Sequence, residues 1–188
     1  MTAVAERSTG RRHPLATRTR APRLRALVAI VAPVMVAVVA ICALGVANVR
    51  NDSMEPTLHS GDLVVYDRWT APSRGDIVLL VDREGWSGDA DVLLVKRVVG
   101  VAGDVLVCCE TGTGRLLVDG EPVDEPHVDD ARPGGGIPFR VTVPERTVWV
   151  MGDNREASVD SRSTVSGPGH GGVALEDLRG VVRLAWER

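Results

Sequence analysis

Three short stretches carry residue types that could do chemistry. The first is Asn51-Asp52-Ser53-Met54-Glu55-Pro56-Thr57, where a serine stands between a turn-prone Asn-Asp pair and the conformation-fixing Pro56. A serine hydroxyl is a weak nucleophile until a neighbouring base takes its proton. The second is Val95-Lys96-Arg97-Val98-Val99-Gly100. Of 22 basic residues Lys96 is the only lysine, and a lysine, unlike an arginine, can give up its proton inside a protein. In a strand from Val92 to Val99, period-two alternation puts Lys96 on one face with Val92, Leu94 and Val98. Such apolar neighbours disfavour the charged amine and pull its pKa down. The need is real: an unshifted lysine at pH 7.4 is only ~0.1% neutral, a handicap of roughly 4 kcal/mol for a general base.

The third stretch is Gly152-Asp153-Asn154-Arg155-Glu156-Ala157-Ser158-Val159-Asp160-Ser161-Arg162, which leaves a strand. Here Ser158 is expected to hydrogen-bond the lysine amine, and Asp160 to pair with Arg162 and with Arg97, whose charge would otherwise be stranded in an apolar strand. Each stretch also has an ordinary reading. Asp52-Ser53 could simply cap a turn, Lys96 could snorkel from an edge strand, and the third stretch could be a polar surface turn with an Asp-Arg pair.

Histidine and metal chemistry find less support. His13, His59, His127 and His170 stand in no recognisable nucleophile-elbow or protease signature and have no metal-ligand spacing, so solvent-exposed roles are expected for all four and no metal or cofactor is expected. Cys42, Cys108 and Cys109 make neither a disulfide framework nor a zinc site. Adjacent cysteines in one strand point to opposite faces, so Cys108 and Cys109 are read as packing residues, with a vicinal or intermolecular disulfide as the minority alternative.

What must position these groups follows from composition and pattern. The chain has 188 residues, 44% of them hydrophobic but only 3% aromatic, so its core rests on Val, Leu, Ala and Ile. The net charge of −3 hides an asymmetry, because residues 1–25 carry seven arginines and one glutamate. That basic, Thr- and Pro-rich segment reads as a disordered tail. Residues 26–47 contain no charge and as a helix would span about 33 Å against a hydrocarbon layer of about 30 Å. They read as a transmembrane anchor, with the arginine cluster before them placing the N-terminus in the cytoplasm and the rest outside. A cleavable signal peptide is the rival; its apolar core is usually 7–15 residues long, and the greater length here favours the anchor.

Beyond the anchor the chain reads as β. Strands are expected at Asp62–Tyr66, Asp76–Val81, Val92–Val99, Phe139–Val143 and Thr147–Met151, with Val105–Cys109 and Leu116–Val118 as a hairpin around Gly112-Thr113-Gly114. Leu184–Trp186 could pair as a last edge. Residues 84–90 and 152–172 read as loops and 119–138, rich in Pro, Gly and acids, as an irregular excursion.

Together, Ser53-Met54-Glu55-Pro56-Thr57, Gly61-Asp62 to Asp67, Gly75-Asp76 to Leu80, Val95 to Gly100 with Gly103-Asp104, and Gly152 to Arg162 resemble, in order, the motif boxes of the type I signal peptidases. These are membrane-bound Ser/Lys proteases that release secreted proteins from their signal peptides, and the resemblance covers residues 26–186. It implies a mostly β fold: one N-terminal transmembrane helix, then an antiparallel β catalytic core (48–104 and 147–188) interrupted by an irregular β insertion (105–146). It implies Ser53 as nucleophile and Lys96 as general base, the Ser53 backbone N–H as oxyanion donor, and Met54 and Pro56 in the substrate cleft. Substrates would be preproteins at the outer face of a bacterial plasma membrane, cut after small residues in an A-x-A pattern. Membrane lipid would be the other partner, with neither nucleic acid nor a small-molecule cofactor.

Two residues before the nucleophile, some family members have a serine that assists the oxyanion hole; here Asn51 stands there, and its NH2 could donate similarly. Ala102 stands where the family often has Pro, and no second apolar span follows. Two rivals remain. A self-cleaving Ser/Lys repressor-type peptidase would carry a helix-turn-helix in place of the apolar span, and a membrane-tethered β domain that binds partners would have no need of Ser53 and Lys96.

Overall fold

The computed structural model describes residues 21–89 and 92–187. Residues 1–20, which include His13 and most of the expected basic tail, lie outside them.

The apolar run forms helix α1, Ala21–Ala43, with Pro33 inside it. Its Leu24–Ala43 portion, 20 residues long and unburied along its length, is long and apolar enough to cross a membrane. The helix stops four residues short of the expected end. Leu44–Asn48 is strand β1, hydrogen-bonded antiparallel to β2, Leu63–Asp67. Gly45 helps explain the switch, since a Cβ there would overlap the Tyr66 ring. Only a glycine lets β1 and the ring approach so closely.

The remaining strands are β3 (Ile77–Val81), β4 (Leu93–Val101), β5 (Val105–Cys108), β6 (Leu116–Val118), β7 (Glu121–Pro122), β8 (Phe139–Thr142), β9 (Thr147–Met151), β10 (Val173–Ala174) and β11 (Leu178–Trp186). They build a seven-stranded sheet in the order β1-β2-β11-β3-β4-β9-β10 and a four-stranded sheet in the order β7-β6-β5-β8. All pairings are antiparallel. The fold is therefore mostly β, with the second sheet supplied by residues between β4 and β9.

Three apolar clusters hold the sheets. Leu106, Leu116, Val118, Phe139, Val141 and Val143 join Val99, Trp149 and Met151 of the larger sheet, and the Phe139 and Trp149 rings meet at 4.5 Å between centroids. One face of the larger sheet gathers Val78, Leu80, Leu94, Val98, Val148, Val150, Val173 and Val181. The other gathers Val49, Met54, Leu58, Val64, Tyr66 and Leu79. Valine is the commonest residue among them, and its β-branched side chain suits a pleated, half-buried surface.

At the β1 edge the sheet stays open on one side. Val46, Val65 and Leu184 form one cross-strand row and Asn48, Leu63 and Trp186 the next. Val46, Leu184 and Trp186 are at least half exposed, as is Trp69 just after β2.

The cysteines depart from expectation. Cys108 and Cys109 are joined in a vicinal disulfide across a cis peptide bond. Strand β5 ends at Cys108, so the alternation that would send the two side chains to opposite faces does not extend to Cys109.

Candidate active site

The turn that carries Ser53 is built by its own apolar residues. Met54 and Leu58, four apart and linked by a 2.9 Å bond from Leu58 N–H to the Met54 carbonyl, both sink into the cluster beneath β2. The loop closes on β2 through Val49 N–H to the Asp62 carbonyl and Gly61 N–H to the Val49 carbonyl, each 2.9 Å. Asn154 pins the turn from the other side. Its backbone N–H donates to the Ser53 carbonyl at 3.1 Å and its side-chain NH2 to the Asp52 carbonyl at 3.1 Å.

Lys96 arrives on β4, with Val78 of β3 directly across. Alternation sets Leu94, Lys96 and Val98 on one face, and the lysine is 2% exposed. Its Nζ donates to Ser53 Oγ at 2.6 Å, across 43 residues of sequence. Burial lowers the lysine pKa from 10.5 to about 8; the nearby Asp160 carboxylate opposes this and the Arg162 charge adds to it.

The third stretch folds back under this pair. Asp160 accepts from Arg162 Nε at 2.8 Å and Nη2 at 2.7 Å, and its other bonds run to the backbone of Arg162 at 3.2 Å and of Gly152 at 3.0 Å. Ser161 Oγ accepts from Val150 N–H at 2.9 Å. Both charges are buried, and the bidentate geometry with backbone donors supplies the compensation that buried ions require.

Several expectations are corrected. Ser158 does not bond the lysine: its Oγ is buried with no hydrogen-bond partner among the described residues, and the amine is directed at Ser53 instead. Arg97 does not pair with Asp160. As Lys96's neighbour in a strand it points to the opposite face, where Asp153 accepts from it twice, at 2.8 and 2.7 Å. Met54 is wholly buried in the core and Pro56 is exposed, and neither is among the residues that line the cavity at Ser53 and Lys96. Asn51 presents its oxygen, not its NH2: Oδ1 accepts from Ser53 Oγ at 2.9 Å and from Ser53 N–H at 3.3 Å. His59 and His170 are exposed, but His127 is not free in solvent. Its Nε2 is buried 3.7 Å from Asp153 and 3.8 Å from Glu125, and burial with the Arg97 charge lowers its pKa.

Ser53 and Lys96 open into a cavity of about 300 Å³ whose other walls are Asn51, Asp52, Trp86, Ser87, Leu94, Ala157 and Val159. Trp86 and Ser87 were hidden inside an expected loop. The available signal was Asp82, whose carboxylate accepts from Trp86 N–H at 3.0 Å and from Ser87 N–H and Oγ at 2.7 and 2.8 Å. Among the described residues no His/Cys/Asp/Glu group is placed to hold a metal ion.

A nucleophile-capable hydroxyl against a desolvated lysine amine, at the mouth of a cleft in an antiparallel β fold, defines the type of site found in Ser/Lys peptidases. Residues 23–187 match the family model described as signal peptidase, peptidase S26, and the chain belongs to that family. It is 32% identical over 185 residues to a signal peptidase I of Mycobacterium tuberculosis, covering 72% of this chain and 62% of the relative. A signal peptidase I of Bacillus licheniformis is 37% identical over 128 residues, covering 61% of this chain and 64% of that one. The chain thus spans somewhat less than two thirds of the length of these relatives. A solved signal peptidase I from Enterococcus faecalis aligns with a TM-score of 0.46 at 23% identity, over 61% of this chain and 98% of that chain.

Proposed function

We propose that this chain is a signal peptidase I, a serine endopeptidase that removes signal peptides from translocated preproteins. The observation that carries the reading is the 2.6 Å approach of Lys96 Nζ to Ser53 Oγ in a site where burial has brought the lysine pKa to about 8. In its neutral form the amine takes the Ser53 proton as Oγ attacks the scissile carbonyl. The resulting ammonium protonates the leaving amine, and the regenerated neutral amine activates water to hydrolyse the acyl-enzyme. The Ser53 backbone N–H faces the developing oxyanion.

Small side chains are the expected preference beside the scissile bond. Leu94, Trp86 and Val159 help line a cavity of about 300 Å³ beside Ser53, which supports Ala, Gly or Ser one and three residues before the cut. The helix Leu24–Ala43 serves as anchor, with the N-terminal arginines in the cytoplasm and the β domain at the outer face. Val46, Leu184, Trp186 and Trp69 on the open sheet face and its flanking loop meet lipid, since tryptophan favours the membrane–water boundary.

The test is cleavage of a preprotein in detergent by the full chain, with the new N-terminus identified by mass. Cleavage after a small residue by wild type, abolished in Ser53→Ala and Lys96→Met, is expected. Retention of most activity by Lys96→Met would overturn the base assignment, and an inactive wild type would favour a tethered binding domain.

A further inference from the structure

For acyl transfer, the scissile carbonyl oxygen has to reach the Ser53 backbone N–H at roughly 2.7–3.1 Å. That position is already taken by another carbonyl oxygen, Asn51 Oδ1, at 3.3 Å from the N–H. The orientation of the amide is fixed by chemistry, because a backbone N–H only donates and the atom facing it must be the acceptor. The same oxygen lies 2.9 Å from Ser53 Oγ and takes its hydroxyl proton, while Lys96 donates to Oγ from the other side. A hydroxyl has one hydrogen. With that hydrogen given to Asn51, none points along the Ser53–Lys96 line on which it must travel.

The two partners of this contact differ in freedom. Ser53 is 5% exposed, and its carbonyl and that of Asp52 are both held by Asn154. Asn51 is exposed, and among the described residues its side chain has no hydrogen bond other than the two from Ser53. The blocked group is thus fixed and the blocking group can swing into solvent.

We infer that Asn51 is an autoinhibitory plug, an internal stand-in for the substrate carbonyl that holds Ser53 in an off state until a bound peptide displaces it. Displacement does two things at once: it frees the N–H for the oxyanion and returns the hydroxyl proton to the lysine. Asn51 is then a positioning residue acting through Ser53, in the opposite sense to an oxyanion donor. A peptide that binds loosely cannot compete with the tethered amide, so the plug also raises selectivity for well-bound substrates. The inference rests on the Ser/Lys reading of the site.

The experiment compares wild type, Asn51→Ala, Asn51→Asp and Ser53→Ala as full chains in detergent. Three quantities are read: kcat and KM on a signal-peptide substrate, affinity for a peptide boronic acid whose adduct with serine carries an oxygen in the oxyanion position, and affinity for a peptide amide one residue shorter, which ends before that position and places no oxygen there. A net hydrogen bond corresponds to about 3- to 10-fold. Asn51→Ala is expected to raise kcat and boronate affinity by that factor with amide affinity unchanged. Asn51→Asp, a stronger acceptor for both donors, is expected to lower both about 10-fold or more.

A fall of tenfold or more in Asn51→Ala would mean that the amide donates to the oxyanion, and the plug would be refuted. Equal changes in boronate and amide affinity, or no change in either, would refute it too. If wild type and Ser53→Ala are equally inert to substrate and boronate, the Ser/Lys reading itself has failed. An active wild type with a dead Ser53→Ala and a slowed Asn51→Ala sinks the plug alone.

Discussion

Changing pH from 6 to 10.5 probes the Ser53–Lys96 pair in two independent ways. Burial is the main reason the amine titrates at about 8 and not 10.5; the carboxylate of Asp160 works against burial and the charge of Arg162 with it. That drop makes the neutral amine about 300-fold more abundant at any pH well below 8. kcat/KM for a signal-peptide substrate is expected to rise with unit slope to about pH 8 and to level off above it. Stability responds with a definite sign. Between about pH 8 and 10.5 the unfolded chain holds the Lys96 proton and the native chain does not, so stability rises with pH across that window. Below pH 8 both states are protonated, and the buried ammonium costs about 3 kcal/mol relative to alkaline pH. Lys96→Met, apolar and of similar length, is therefore expected to be inactive and yet more stable than wild type at pH 6–7, by up to about 3 kcal/mol. Initial rates and urea unfolding in the same detergent buffers measure both. A rate profile still climbing at pH 10 without a bend, or a Lys96→Met chain less stable than wild type at pH 6, would refute the claim that desolvation tunes the base.

Two substitutions test the frame around the pair. A Cβ on Gly152 would overlap the Ser53 carbonyl oxygen and Ser158 Oγ; because the first is backbone, Gly152→Ala must move the Ser53 turn, and a displacement near 1 Å costs about 100-fold in kcat. A normal steady-state rate would show that the turn yields without moving Ser53. Asp153→Asn leaves the Arg97 guanidinium, whose side chain is 13% exposed, without its bidentate carboxylate, an expected loss of about 3–5 kcal/mol in urea unfolding; a loss under 1 kcal/mol would mean that water or the Gly75 carbonyl compensates.

The parts of this molecule that obey short-range periodicity were legible from the chain. Alternation in β4 put Lys96 among Leu94 and Val98, and the hairpin of β5 and β6 followed from a glycine-flanked turn. What was not legible depends on partners far away in sequence. β1 is continuous in hydropathy with α1, and only its pairing with β2 reveals it as a strand. Most of β11 was missed because Arg179, Gly180 and Arg183 interrupt its apolar pattern; the sheet accommodates them with register shifts next to Gly180 and Arg183. Side-chain pairing was the least accessible level. Arg97 finds Asp153 across 56 residues, and no spacing rule distinguishes that partner from Asp160. For the same reason Asn51 could be placed beside Ser53 but not oriented.

The position of β11 bears on how the protein is made. β11 follows all the other described strands in chain order yet lies in the interior of the seven-stranded sheet, and the strands flanking the Ser53 turn, β1 and β2, join the ladder of β3 and β4 only through it. Ribosomal order and spatial order are therefore opposed. While the nascent chain lacks residues 178–186, one half holds the serine and the other the lysine with no strand pairing between them. Residues 178–186 act as a keystone: until they have been made, Ser53 and Lys96 sit on two separate sets of strands, and the site cannot close.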